Sequence, residues 1–492
     1  MVVVTFVGLY TSRVVFAQLG EVNYGIYGVV GGILGFMSFL TSSMAGASSR
    51  FITYEIGRGQ HENINIIFNS SFFIHCGISI VVVIVGETFG VWFLNNVLVI
   101  PPDRLNAAWW VFQFSVISSA ISITQIPYTA VIMAYEKMDI YAYMELINVV
   151  LKLVIVYLLS ISTYDKLVTY SFLLLVVSSL MAFSYWLYCI RHFNICKIRR
   201  IRDFGIIKKM LSFSAMDLYG NVGVTLNSQG LTYAINIFFG VIYNAAVNLA
   251  NTVNGMILSL TTTIAIAFKP QIIKQYAQGS VENMEQVMIN SVKFTLIAMA
   301  LLAVPCAIEA EFVMKLWLGE VPSYSVEFLR IIIIQSFFPV INNVCNAAIH
   351  ANGNIKSLTF VNGSIFFVMP VLIFIAFHFG ASVLWGYGIE ILGMIVIVLI
   401  ATTIIKHLIP DLKVGKFIFT ILNCFIIIGL SAIPAIYVHE CMHAQFIRLI
   451  LISLIYLVTM GALSWTILLN SDNRRVLLNR VIAIYSKFKG HD

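Results

Sequence analysis

Long apolar runs broken by short polar connections set the pattern of this chain. A membrane span needs about 20 mostly apolar residues. Fourteen segments fit, near 1–19, 24–47, 65–94, 107–133, 140–162, 167–190, 212–238, 241–267, 287–310, 325–350, 357–378, 382–405, 416–437 and 444–469. Spans seven and eight are separated only by a turn at Gly240. A twelve-span count, with two segments lying in the interface, is the alternative. The first segment, MVVVTFVGLYTSRVVFAQLG, has no basic n-region and no small-x-small cleavage site, so it reads as a retained span. In lipid every backbone amide must find its partner within its own segment, and the runs are too long for barrel strands. The expected fold is therefore an all-α polytopic membrane protein.

Basic residues orient the spans. On one side fall Arg50, Arg58, Lys137, a cluster between Arg191 and Lys209, Lys269, Lys274, Lys356, Lys406, Lys413, Lys416 and the tail from Arg474 to Lys489. The loops of the other side hold only Arg104, Lys166 and Lys315. The positive-inside rule makes the rich side cytoplasmic and places both termini there. The basic stretch 191–211 divides the chain into an N-terminal lobe, 1–190, with six spans, and a C-terminal lobe, 212–405, with six more. Spans thirteen and fourteen (406–470) and a basic tail (471–492) follow.

Composition agrees and closes other routes. Of 492 residues, 60% are hydrophobic and 10% charged, with mean hydropathy +0.93. A soluble domain needs about 25% charge to cover its surface. The net charge of +7 is a topology signal and implies no nucleic-acid partner. Seven cysteines, without a C-x-x-C pair, sit mostly inside apolar runs and read as packing residues. No pattern in the chain requires a cofactor.

An internal repeat organises the lobes. YGIYGVVGGILGFMSFLTSSMAGASSR (24–50) aligns with YNAAVNLANTVNGMILSLTTTIAIAFK (243–269) at an offset of 219. Each begins with Tyr, gathers Ser and Thr in its second half and ends on a cation. An E-N pair and then N-S follow each copy (Glu62-Asn63 and Asn69-Ser70; Glu282-Asn283 and Asn290-Ser291). Span two thus corresponds to span eight in the same orientation. That is a parallel repeat about an axis along the membrane normal, an arrangement of transporters with a site between two halves. Two six-helix lobes around a central cavity, plus two extra C-terminal helices, are expected.

Polar groups inside spans mark cavities or partners, since a charge at the bilayer centre costs about 2.5–3.5 kcal/mol on insertion scales. Arg13 lies deep in span one. Glu145, Asn148 and Lys152 share a face of span five, with Glu145 and Lys152 about 10 Å apart along the axis, too far to pair directly. Asp217, Asn221 and Ser228 share a face of span seven, and Glu390 lies in span twelve. Span eight carries Asn244, Asn248 and Asn251 on one stripe, with Asn254 beside it. These amides suit sugar hydroxyls or interhelical hydrogen bonds. Gly28, Gly31, Gly32 and Gly35 form a close-packing face. Lys293, Arg330 and Arg448, near span ends, are expected to snorkel.

One motif points elsewhere. HECMH (439–443) fits H-E-x-x-H, in which two histidines bind zinc and the glutamate activates water. A zinc site needs a third protein ligand. Glu440 is the last Glu of the chain, a metzincin continuation would need glycine and histidine where Phe446 and Leu449 stand, and Asp472, His491 and Asp492 belong to the opposite side. No catalytic or metal role is expected, and the pentapeptide reads as a polar turn on the outer face.

SRVVFAQLGEVNYGIYGVV (12–30), INIFFGVIYNAAVNLANTVNGM (235–256) and AIAFKPQIIKQYAQGS (265–280) resemble polysaccharide flippases of the Wzx type, in the multidrug/oligosaccharidyl-lipid/polysaccharide exporter (MOP) superfamily. The resemblance runs through nearly the whole chain by span order and repeat. It implies a non-enzymatic bacterial inner-membrane protein that carries a polyprenyl-diphosphate-linked glycan to the periplasmic leaflet, for O-antigen or capsule synthesis. Polysaccharide polymerase and chain-length proteins are then the expected neighbours. Related lipid II flippases have a cationic cavity built from spans one, two and eight. Arg13, Arg50 and Lys269 are the matching positions, although span eight itself holds asparagines and no base. On this resemblance Arg13, Arg50, Lys152 and Lys269 are candidates for the diphosphate, Asn244, Asn248, Asn251 and Asn254 for sugar, and Glu145, Asp217 and Glu390 for ion coupling. Two alternatives stand beside this: a MATE-like cation-coupled multidrug antiporter, and a membrane-embedded polysaccharide polymerase or ligase. The outside loops near 95–106 and 311–324 are short for the catalytic loop of the latter.

Overall fold

The computed structural model describes residues 2–35, 38–58, 61–197, 204–352 and 356–468, together with Arg474. Residues 199, 200 and 202 of the basic linker, and the tail from 475 onward, lie outside the described residues. The chain is an all-α polytopic membrane protein, with no strand among the described residues. In order the helices are α1 (Val2–Gly35), α2 (Ser38–Arg58), α3 (His61–Val85), α4 (Val91–Asn96), α5 (Leu105–Ala134), α6 (Met138–Ile161), α7 (Lys166–His192) and α8 (Phe204–Phe239). They continue with α9 (Val241–Ala277), α10 (Val281–Ile308), α11 (Ala310–Leu318), α12 (Ser325–Asn352), α13 (Lys356–His378), α14 (Leu384–Leu408), α15 (Val414–Cys441) and α16 (Phe446–Leu463).

Among the described residues, ten helical segments are long and apolar enough to cross a membrane. They coincide with candidate spans three to six and nine to fourteen. The other four candidates fall on α1, α2, α8 and α9. At about 1.5 Å per residue, the 37 residues of α9 extend roughly 55 Å, beyond a hydrocarbon layer of about 30 Å. Its surplus turns carry Lys269 and Lys274.

Glycine ends the two spans that precede the repeated segments. α1 breaks at Gly20, with φ 75° and ψ 170°. α8 gives way to α9 at Gly240, with φ 89°, where the Gly240 amide donates to the carbonyls of Ile235 and Asn236. Positive φ is open to glycine without a Cβ clash, which is how a helix stops within one residue. Each repeat copy is thus entered through the same punctuation.

The chain forms two compact units that do not follow chain order. The first comprises Met1–Thr252, Pro322–Phe328 and Thr359–Gly393. Within it α5 packs on α7, α3 and α2, and α2 runs beside α8. Its core includes Phe68, Tyr128, Val131, Ile132 and Tyr185, all buried. The basic linker begins pinned to this unit, because the Asn65 amide donates to the carbonyls of Ile195 (2.6 Å) and Lys197 (3.1 Å).

The second unit comprises Val253–Val321, Leu329–Leu358 and Met394–Asp492. Here α10 packs on α15 and α16. Three of its polar contacts correct sequence expectations. Lys293 does not snorkel: it is 6% exposed and donates to the Leu468 carbonyl at 2.5 Å. Leu468 is the last residue of the π-helical turn Ser464–Leu468. Arg448 turns inward as well, donating to Glu309 Oε2 at 2.7 Å and to the carbonyls of Met442 and His439. His439 Nδ1 meets the other Glu309 oxygen at 2.8 Å. The Glu309 side chain has no exposed surface, and a carboxylate in that position requires partners. Within HECMH, then, His439, Glu440 and Cys441 end α15, and Met442 and His443 lie in the connection to α16. The motif's first histidine ties that helix end to α10.

Candidate functional site

Unit 1 encloses a cavity of about 510 Å³ between α1, α5, α6 and α7. Its walls are polar although the helices that build it are apolar. α5 presents Ser115, Ser118, Ser119, Ser122 and Gln125, a spacing of i, i+3, i+4, i+7 and i+10 that keeps them on one face. α7 adds Ser171 and Ser178, two turns apart. α6 contributes Glu145, Asn148 and Lys152. Two glycines of α1, the rings of Tyr27 and Tyr185, and the apolar side chains of Phe114, Leu174, Val177 and Met181 line the remainder.

Serine enters such helices at small cost because its hydroxyl can bond back to a carbonyl one turn earlier. Ser171 Oγ donates to the Leu167 carbonyl (3.0 Å) and Ser178 Oγ to that of Leu175 (2.9 Å). Ser118 Oγ donates to Ser178 Oγ at 2.7 Å, joining α5 to α7 across the wall. Asn148 and Gln125 present amides, so the lining both donates and accepts. Ion pairs form elsewhere, among them Arg104–Asp165, Lys416–Glu285, His439–Glu309 and Arg448–Glu309. Glu145 and Lys152 therefore face the cavity without pairing, as their two-turn separation requires.

Of the sequence candidates, this cavity brings together Glu145 and Lys152, with Asn148 between them. Arg13 on α1, Arg50 on α2 and Lys269 on α9 have exposed side chains and are absent from the lining. The asparagines of α9 divide. Asn244 is fully buried and its amide donates to the Thr232 carbonyl of α8 at 2.9 Å. Asn248 lies against α1 at Gly28, where an added Cβ would overlap its amide nitrogen. Asn251 is exposed, and Asn254 is 6% exposed. Glu390 is 3% exposed and accepts from the Asn227 amide at 3.0 Å. Asp217 lies on α8, its side chain outside the described residues.

Of the glycine face expected on span two, Gly28, Gly32 and Gly35 pack closely and Gly31 does not. A Cβ at Gly32 or Gly35 would stand 2.8 Å from the Gln229 side chain of α8, whereas one at Gly31 would meet nothing within 4 Å and open into the cavity. At one edge of this unit Arg104 ties three segments. Its Nε donates to Asn23 Oδ1 (2.8 Å) and its terminal nitrogens grip Asp165 (2.8 and 3.3 Å). Asp165 also caps α7 by accepting from the amides of Leu167 and Val168. Burial alone would push the Asp165 carboxyl up. The Arg104 guanidinium and the two amides outweigh that and hold it below the ordinary value.

The described residues thus define an all-α polytopic membrane protein with polar groups buried inside its spans. The comparisons refine that class. The MatE family model matches residues 221–375. The fold is similar to an inward-facing multidrug resistance MATE family transporter of the MOP superfamily, with TM-score 0.69 at 15% identity, over 83% of this chain and 96% of that one. It is equally similar to the lipid II flippase MurJ in an inward closed conformation, with TM-score 0.69 at 15% identity, over 95% and 98%. A MOP superfamily transporter from Pyrococcus furiosus aligns with TM-score 0.58 at 15% identity, over 84% and 95%. No curated protein matches the chain in sequence. The fold is shared with these solved transporters and with the MurJ flippase.

Proposed function

We propose that this protein is a flippase that moves a polyprenyl-diphosphate-linked oligosaccharide from the cytoplasmic to the periplasmic leaflet of a bacterial inner membrane by alternating access, feeding surface polysaccharide assembly. The observation that carries the reading is the cavity of unit 1, walled by hydroxyls and amides within helices that are otherwise apolar. A glycan cannot shed its hydration into hydrocarbon without replacement hydrogen bonds, and such a wall supplies them. The diphosphate needs cations; Arg13, Arg50, Lys152 and Lys269 are the candidates for that part. The prenyl chain stays in lipid. Coupling to an ion falls to Glu145, Asp217 or Glu390. Both termini lie in the cytoplasm, and polymerase and chain-length proteins act on the delivered glycan.

A cation-coupled multidrug antiporter is the second reading, favoured by the MatE match and by the carboxylate of Glu145 in the cavity. Cells lacking the gene separate the two. The flippase reading expects lipid-linked glycan to accumulate and surface polysaccharide to vanish, and Arg13→Glu at wild-type protein level to restore neither. Normal surface polysaccharide together with raised drug susceptibility would establish the antiporter instead.

A further inference from the structure

The cavity's charges do not suit a diphosphate. Among its lining residues one ammonium, Lys152, is matched by one carboxylate, Glu145, so the formal charges cancel. A diphosphate is a dense anion held by several cationic or N–H donors. Here it would find a single cation and an opposing carboxylate, and Arg13, Arg50 and Lys269 are not in the wall.

The same wall suits an uncharged sugar. Ser115, Ser119 and Ser122 offer hydroxyls that donate and accept, and Asn148 and Gln125 offer amides that match either a hydroxyl or an acetamido group. The partly exposed ring of Tyr27 provides apolar surface for the C–H face of a pyranose. A volume of about 510 Å³ falls within the range of small-molecule sites.

We propose that this cavity is a saccharide subsite for one uncharged glycosyl residue, in which Glu145 accepts from a sugar hydroxyl and Lys152 donates to a sugar oxygen. Lys152 thereby leaves the set of diphosphate cations. The flippase reading supplies the origin of the sugar; the binding chemistry stands on the cavity itself.

The test uses the purified full-length protein in detergent. Saturation-transfer NMR reports binding of neutral methyl glycosides (glucoside, galactoside, rhamnoside, N-acetylglucosaminide), and phosphorus line broadening reports inorganic pyrophosphate. At least one glycoside should receive saturation from the wild-type protein. Glu145→Gln should weaken that glycoside about tenfold, the effect of losing a hydrogen bond to a charged group. Ser119→Leu, which puts an apolar side chain into the hydroxyl wall of the cavity, should abolish it. Pyrophosphate binding should be equal in wild type, Glu145→Gln and Lys152→Gln. Should Ser119→Leu fail to fold, the two isosteric variants carry the result. Absence of glycoside binding, glycoside binding untouched by Glu145→Gln, or pyrophosphate binding lost in Lys152→Gln would each overturn the proposal. Those failures leave the flippase reading intact if glycan translocation is observed. Glycoside binding without translocation has the opposite meaning.

Discussion

Replacing glycines of α1 one at a time gives a graded test of how its second half meets α9. A Cβ at Gly25 would overlap the carbonyl oxygen of Val241 and stand 2.9 Å from its carbonyl carbon. Those are backbone atoms at the first residue of α9, and they cannot rotate away. Gly31, six residues on, has no atom within 4 Å of its added Cβ. Both positions gain about 0.5–1 kcal/mol of helix propensity on conversion to alanine. Gly25→Ala also bears an overpacking penalty of about 1–3 kcal/mol or more. The two variants should therefore differ by roughly that penalty. At about 2–4 °C per kcal/mol for a unit of a few hundred residues, this is a gap of several degrees in Tm. The assay is thermal unfolding of purified protein in one detergent, followed by intrinsic fluorescence. Gly31→Ala should melt at or slightly above wild type, and Gly25→Ala clearly below it. Equal melting temperatures for the two variants would refute the close approach of these helices.

Two further predictions concern buried and partly buried charge. Glu309→Gln leaves Arg448 without its counter-ion in a site where the Arg448 side chain is 9% exposed, so stability should fall by about 3–5 kcal/mol. The double change Glu309→Leu with Arg448→Leu should recover most of that loss, and a double variant no better than the single one would contradict the pairing. Asp165 carries a carboxyl held below its ordinary value of 3.8, so its contribution is present above that pH and disappears as pH falls through the native value. Asp165→Asn should lower Tm at neutral pH and match wild type in strong acid; a gap that widens on acidification would show the sign to be wrong.

The spans were legible in the sequence because a bilayer imposes a length. Candidate segments 107–133, 140–162 and 167–190 differ by only one or two residues from the ends of α5, α6 and α7. The shared face of Glu145, Asn148 and Lys152 also followed from helical periodicity, and the structure places all three on one cavity. The serines of α5 escaped notice. Their spacing of 115, 118, 119 and 122 is helical, yet serine barely changes hydropathy, so the stripe hides inside an ordinary span. The α9 amides show the opposite difficulty. An asparagine facing a lumen and one bonded across helices look alike in sequence, and only coordinates show Asn244 committed to Thr232. Arg448 and Glu309 stand 139 residues apart, a separation that no local pattern can connect. The HECMH histidine belongs to the same case, since its partner is a glutamate on another helix.

Translocation itself tests the central claim most directly. The protein is reconstituted into liposomes with a fluorescent polyprenyl-diphosphate oligosaccharide, and the fraction reachable by an impermeant quencher is followed over time. The account predicts that wild-type protein makes nearly all of the labelled lipid accessible, while Arg13→Glu leaves the inner-leaflet half protected. Protection identical in protein-containing and empty liposomes would contradict it.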